Sequence, residues 1–215
     1  MKIYHPALVM LALGLLGACS SVYYQTMEQF GLEKRDILVD RVEDARDSQE
    51  QAKEQFTTAL ERFTDLLDFD GGDLQATYDS LNSEFEESER RAEQVSDRIR
   101  AVEQVSDDLF NEWEDELDLY TNQALRASSE QSLRNTRSRY QQLVASMQGA
   151  ETKMTPVLNA FRDQVLFLRH NLNSRAIASL RTEAAIIESD ISELILDMEA
   201  SIAESNQFLE ELELL

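Results

Sequence analysis

Cysteine, histidine, proline and glycine are all scarce in this sequence of 215 residues, with one, two, two and six copies. A single cysteine excludes an intramolecular disulfide framework. Beyond His5 the one histidine is His170, and Phe167 stands where a Glu-x-x-His di-iron motif needs its glutamate, so a di-iron or zinc ligand set is not expected. There is no Gly-x-Ser-x-Gly elbow, no second histidine to serve one, and no lysine after Gly71-Gly72 to make a phosphate loop. The sequence therefore predicts no enzyme activity and no cofactor. Positive charge is short as well. Twenty Lys and Arg face 42 Asp and Glu, and the net charge of −22 opposes nucleic acid and docking along an anionic lipid surface. Few glycines and prolines leave few turns. The longest uninterrupted apolar run, residues 7–16, is ten residues. A permanent transmembrane helix needs about twenty.

What the chain does contain is seven-residue periodicity. Leu74, Tyr78, Leu81, Phe85, Ser88, Ala92, Val95, Ile99, Val102, Ser106, Leu109, Trp113, Leu117, Tyr120 and Ala124 step by three and four. Strands, with a side-chain period of two, cannot produce that stripe. An earlier seam runs Leu38, Val42, Ala45, Gln49, Ala52, Phe56, Ala59, Phe63, Leu66, on a helix starting near Met27 or Lys34. A third runs Leu133, Thr136, Tyr140, Leu143, Met147, Ala150, Met154, Val157, Phe161, Val165, Leu168, Leu172. It passes through Gly149 and Pro156 in phase, which predicts one helix kinked near Met154. The fourth is Ile177, Leu180, Ala184, Ile187, Ile191, Leu194, Met198, Ile202, Ser205, Leu209, Leu212.

Three breaks separate the seams. Gly71-Gly72 ends the first helix, with Asp73 placed to cap the second. Residues 68–73 fail as a calcium loop, because the fifth position is Gly72 and the sixth Asp73. The second helix is expected to run to Arg126, with Ser128 and Gln131 forming a capping box for the third. Residues 170–174 close the third. Short connections make neighbours antiparallel. The predicted fold is all-α, an elongated antiparallel up-down four-helix bundle or coiled coil over residues 34–215, whose second helix is longest and projects past the others. An uncovered seam there makes a homo-oligomer plausible.

Two surfaces carry candidate sites. Asp107, Asp108, Glu112, Glu114, Asp115, Glu116 and Asp118 surround Trp113 with no base among them. This run reads as a solvated face, a weak divalent-cation collector, or a receiver of a basic partner; Trp113 itself falls on the seam. Arg169, His170, Asn171, Asn173 and Arg175 read either as a partner-binding tip or as a turn with specific caps.

At the N-terminus, the apolar run 7–16 suits a signal-peptide core. Leu16-Gly17-Ala18-Cys19 resembles the lipobox of bacterial lipoproteins. The resemblance implies a signal peptide over residues 1–18 and lipidation of Cys19, which would begin the mature chain and hold it in a membrane. Ser20, in place of aspartate, implies sorting to the outer membrane, facing the periplasm. Residues 19–33 are then a lipidated tether, in which Tyr23 and Tyr24 either rest at the headgroups or lie in a loose coil. Residues 163–180, with sparse acids and alternating arginines, and the Met198…Ser201-Ile202 end of the last seam, resemble a family of uncharacterised coiled-coil-rich proteins of Gram-negative bacteria, known as a domain of unknown function. The expected role is structural or adaptor, toward an unidentified envelope protein. The alternative is an envelope-stress factor or carrier of divalent cations or an apolar ligand.

Overall fold

A computed structural model describes residues 34–71 and 73–213. The expected signal peptide, Cys19 and the 19–33 tether lie outside the described residues. Within them the protein is helical with no strand: α1 (Lys34–Leu67), α2 (Leu74–Leu117), α3 (Gln123–His170) and α4 (Ser174–Glu213). The longest, α3, has 48 residues, so at ~1.5 Å per residue it measures about 70 Å.

Cross-helix contacts give each helix its direction. Gln55 donates to Glu84 at 2.8 Å, Arg91 to Gln51 at 2.6 Å and Arg98 to Asp44 at 3.1 Å, so α2 descends as α1 climbs. The same antiparallel order relates α3 to α2 through Arg162–Glu89 and Arg137–Glu114, and α4 to α3 through Lys153–Glu193 and Arg139–Glu211. It relates α4 to α1 through Ser201–Gln49 and Arg181–Leu67. Packing is most extensive between α1 and α2, where Ala45, Ser48, Ala52, Ala59, Ser88 and Ala92 are all buried and small.

Charge matches this adjacency. α2 carries fourteen acids to four bases and α4 ten to two, whereas α3 carries seven bases to three acids. The one net-cationic helix packs between the two most acidic ones, and α1 separates them on the other side. Exchanging α3 with α2 or with α4 would instead set the two most acidic helices side by side. Exposed pairs contribute little individually, but together they discriminate against wrong neighbours.

All nine positions of the first seam are fully buried, including Gln49. Phe161 of α3 meets Phe63 of α1 and Phe85 of α2 edge-on at 5.7 and 5.8 Å, joining three helices in one aromatic contact. The third seam is continuous: α3 contains Pro156 without interruption, with Met154 and Val157 both buried.

Four expectations need correction. The second helix ends at Leu117, not near Arg126, and the third begins at Gln123. Asn122 is its cap, accepting from the amides of Ala124 at 2.9 Å and Leu125 at 3.3 Å, and Ser128 and Gln131 lie inside α3. Tyr120 and Ala124 consequently leave the core. The longest helix is the third rather than the second. Val105 and Phe110 are buried where Leu109 is half-buried. In α4 the inward residue is Ser201 and not Ile202: steps of three and four alternate strictly along this helix, so the four from Leu194 to Met198 is followed by three to Ser201 and on through Ser205, Phe208 and Leu212, all buried.

Candidate functional site

The two ends of the helices differ in chemistry. At one end the α1–α2 and α3–α4 turns come together, because the Arg181 guanidinium donates twice to the Leu67 carbonyl, at 3.1 and 2.7 Å. The last turn of α1 has no base of its own. Arg181 therefore supplies from α4 both a donor for an orphan carbonyl and a cation at the negative end of the helix dipole. Asp73 caps α2 as expected, accepting from Ala76 N at 3.1 Å, and Gly71 takes the positive φ of +151° that the turn requires.

The tip residues divide into two kinds. Asn173 accepts from the amides of Arg175 and Ala176, both at 3.1 Å, and Asn171 donates to the Phe167 carbonyl at 3.0 Å. Both asparagine side chains are thus committed to the turn. His170 ends α3 and is exposed. The Arg169 and Arg175 side chains are exposed and have no hydrogen bond or ion pair among the described residues. In so acidic a chain this is unusual, since among the described Lys and Arg only Arg35 shares that state. Leu166 and Phe167 are large and exposed one turn before them. Sequence reasoning missed Arg181, whose role depends on a partner 114 positions away.

At the opposite end, the α2–α3 turn is tied the same way. Arg126 donates to the Leu117 carbonyl at 3.0 Å and to Asp118 at 3.2 Å, and the last turn of α2 also lacks a base. Phe110, Leu117 and Leu133 form a second core, separate from the main one and drawn from α2 and α3 alone, with Trp113 and Tyr140 against it. Trp113 is half-buried and donates to Ser129 at 2.8 Å. Burial pushes the Tyr140 phenol up from its ordinary value. A groove of about 520 Å³ opens beside Trp113, lined by Leu109, Tyr120, Leu125 and Leu212 among others.

The acidic run is spread around α2 rather than gathered. Glu112 pairs with Lys34 at 2.7 Å, Glu114 with Arg137 at 2.6 Å and Asp118 with Arg126 at 3.2 Å. The hydrogen bond from Arg137 holds the Glu114 carboxyl below its usual value. Asp107, Asp115 and Glu116 are exposed, Asp108 is half-buried, and no group of three potential ligands among the described residues is arranged to hold a metal.

The geometry therefore presents long packed faces and two dissimilar ends, with two arginines that are unpaired among the described residues at one and a groove of mixed polar and apolar lining at the other. Among the described residues no helix is long and apolar enough to cross a membrane. Comparison with curated proteins gives no match. A family model described as "Protein of unknown function (DUF2959)" matches residues 23–212. Since that match takes in nearly the whole chain, the protein belongs to the DUF2959 family.

Proposed function

We propose that this is a non-enzymatic spacer or adaptor: an elongated antiparallel up-down four-helix bundle, anchored by acyl chains on Cys19 to the outer membrane and facing the periplasm. Anchoring at Cys19 would put the Lys34 end of α1 near the membrane and the Asn171 turn at the far end, about 50 Å along the 34 residues of α1 at ~1.5 Å per residue. The observation that carries the reading is the tip. Arg169 and Arg175 have no side-chain partner among the described residues, whose cations are otherwise almost all paired, and a turn fixed by two asparagine caps holds them. Unpaired guanidinium groups beside exposed Leu166 and Phe167 suit a protein surface that offers carboxylates and apolar contact.

Crosslinking in intact envelopes tests it, comparing wild type with Arg169→Glu/Arg175→Glu. The expected result is one envelope protein captured by the wild type and lost from the variant, with Cys19 carrying acyl chains by mass spectrometry. An identical capture pattern removes the tip, and an unmodified Cys19 removes the anchor.

A further inference from the structure

In so acidic a chain an exposed helix face is expected to carry charge, and α1 does: nine of its eleven exposed residues are Asp, Glu or Arg. The middle of α3 does not. All nine exposed residues from Gln141 to Asn159 are uncharged. Six of them, Gln142, Ala145, Gly149, Thr152, Pro156 and Asn159, step by three and four. They form a second stripe on α3, opposite the buried one that holds Leu143, Met147 and Met154. Arg139 donates to Gln142 at 3.2 Å and Arg162 to Asn159 at 3.0 Å, so the stripe ends alike on both sides. Those two arginines are in turn paired with Glu211 and Glu89.

Glycine and proline are the costliest residues in a helix interior, and this stripe holds one of each. A Cβ built on Gly149 meets nothing within 4 Å, so no contact among the described residues calls for glycine there. A backbone without a side chain does, however, let a second backbone come close. We propose that two copies of this chain pair face to face through the outer stripe of α3. A symmetric contact sets a surface against itself, so an acidic face would repel its own copy and an uncharged one does not. The stripe matches itself in either direction. Copies running parallel set each residue against its equivalent. Antiparallel copies set Gln142 against Asn159, Ala145 against Pro156 and Gly149 against Thr152. The amides can both donate and accept across such a contact. At ~1.5 Å per residue the stripe is about 27 Å long, small beside the ~800 Å² per partner of a standard interface, so the dimer is weak and reversible. The inference depends neither on lipidation of Cys19 nor on the Arg169–Arg175 tip.

Sedimentation equilibrium of the full chain carrying Cys19→Ser tests it. The expected result is a monomer–dimer equilibrium that tightens as added salt screens the net charge of −22 on each copy. Ala145→Glu/Thr152→Glu should weaken the dimer at least tenfold with unchanged helicity. Gly149→Leu should raise the Tm, because leucine is the better helix former, and still weaken the dimer. A short bismaleimide should join two Thr152→Cys chains and leave Glu54→Cys chains, altered on the charged face of α1, unjoined. A monomer at every concentration overturns the inference and leaves the stripe to a different protein. A dimer that survives both stripe variants, or equal crosslinking of Thr152→Cys and Glu54→Cys, overturns it as well.

Discussion

Phe161 is the residue at which three helices depend on one side chain. It is fully buried and edge-on to Phe63 and Phe85. Truncation to alanine removes the transfer free energy of a phenyl ring and leaves a cavity bordered by α1 and α2, a loss of about 3–5 kcal/mol. Phe161→Leu keeps most of the volume and forfeits the two ring–ring contacts, each worth ~0.5–1.5 kcal/mol, so a loss of about 1–3 kcal/mol follows. Phe167 lies on the same helix but is 41% exposed, and Phe167→Ala should cost no more than about 0.5 kcal/mol. For a chain of this size 1 kcal/mol corresponds to roughly 2–4 °C in Tm. The expected order is a fall of about 6–20 °C for Phe161→Ala, an intermediate fall for Phe161→Leu and almost none for Phe167→Ala. Thermal unfolding followed by circular dichroism, with urea titration for ΔG, gives all three values. Equal effects of Phe161→Ala and Phe167→Ala would refute the convergence of α1, α2 and α3 on this ring.

The polar core makes a prediction of opposite sign. Gln49 accepts from Ser201 at 3.0 Å, but its Nε2 finds no acceptor among the described residues. Gln49→Leu should stabilise by about 1–2 kcal/mol, because a buried unpaired donor costs more than one neutral hydrogen bond contributes; a lower urea midpoint would contradict this. Arg126→Met and Arg181→Met should each destabilise by about 1 kcal/mol, with faster amide exchange confined to the end of the helix each one caps. Uniform acceleration along the helices would refute the capping role. For Glu114, the carboxyl held down by Arg137 contributes stability above its ordinary value of 4.5 and loses it as pH falls through the lowered one. The stability gap between wild type and Arg137→Gln should therefore narrow as the pH falls below 4.5; a gap that widens would contradict the pairing.

The first seam was legible to the residue because apolar period, burial and charge all agree along it. Leu38 through Leu66 lie on one face, and α1 ends where Gly71 permits a turn. Pro156 was legible for a similar reason, since a loop there would have broken the phase of Met154, Val157 and Phe161. The α2–α3 turn was hidden because it contains neither glycine nor proline, and Tyr120 and Ala124 keep the heptad phase across it. What marks it is Asn122 as a cap with Arg126 four residues on, and Arg126 finds its carbonyl only once the chain has reversed. Ser201 was hidden by Ile202, the more apolar neighbour; its place inside follows from the strict alternation of three- and four-residue steps and from Gln49 across the core. At the tip, Asn171 and Asn173 resolve into structural caps while the Arg169 and Arg175 side chains have no partner among the described residues. Residue type alone could not separate those roles.

The distance between spin labels at Asp70→Cys and Asn122→Cys, in a Cys19→Ser chain, measures the length of the rod directly. Uninterrupted α2 puts the labels about 70 Å apart at ~1.5 Å per residue. A separation near 40 Å, the diameter of a compact globule of this size, would show that the helices fold back on themselves and that no spacer exists.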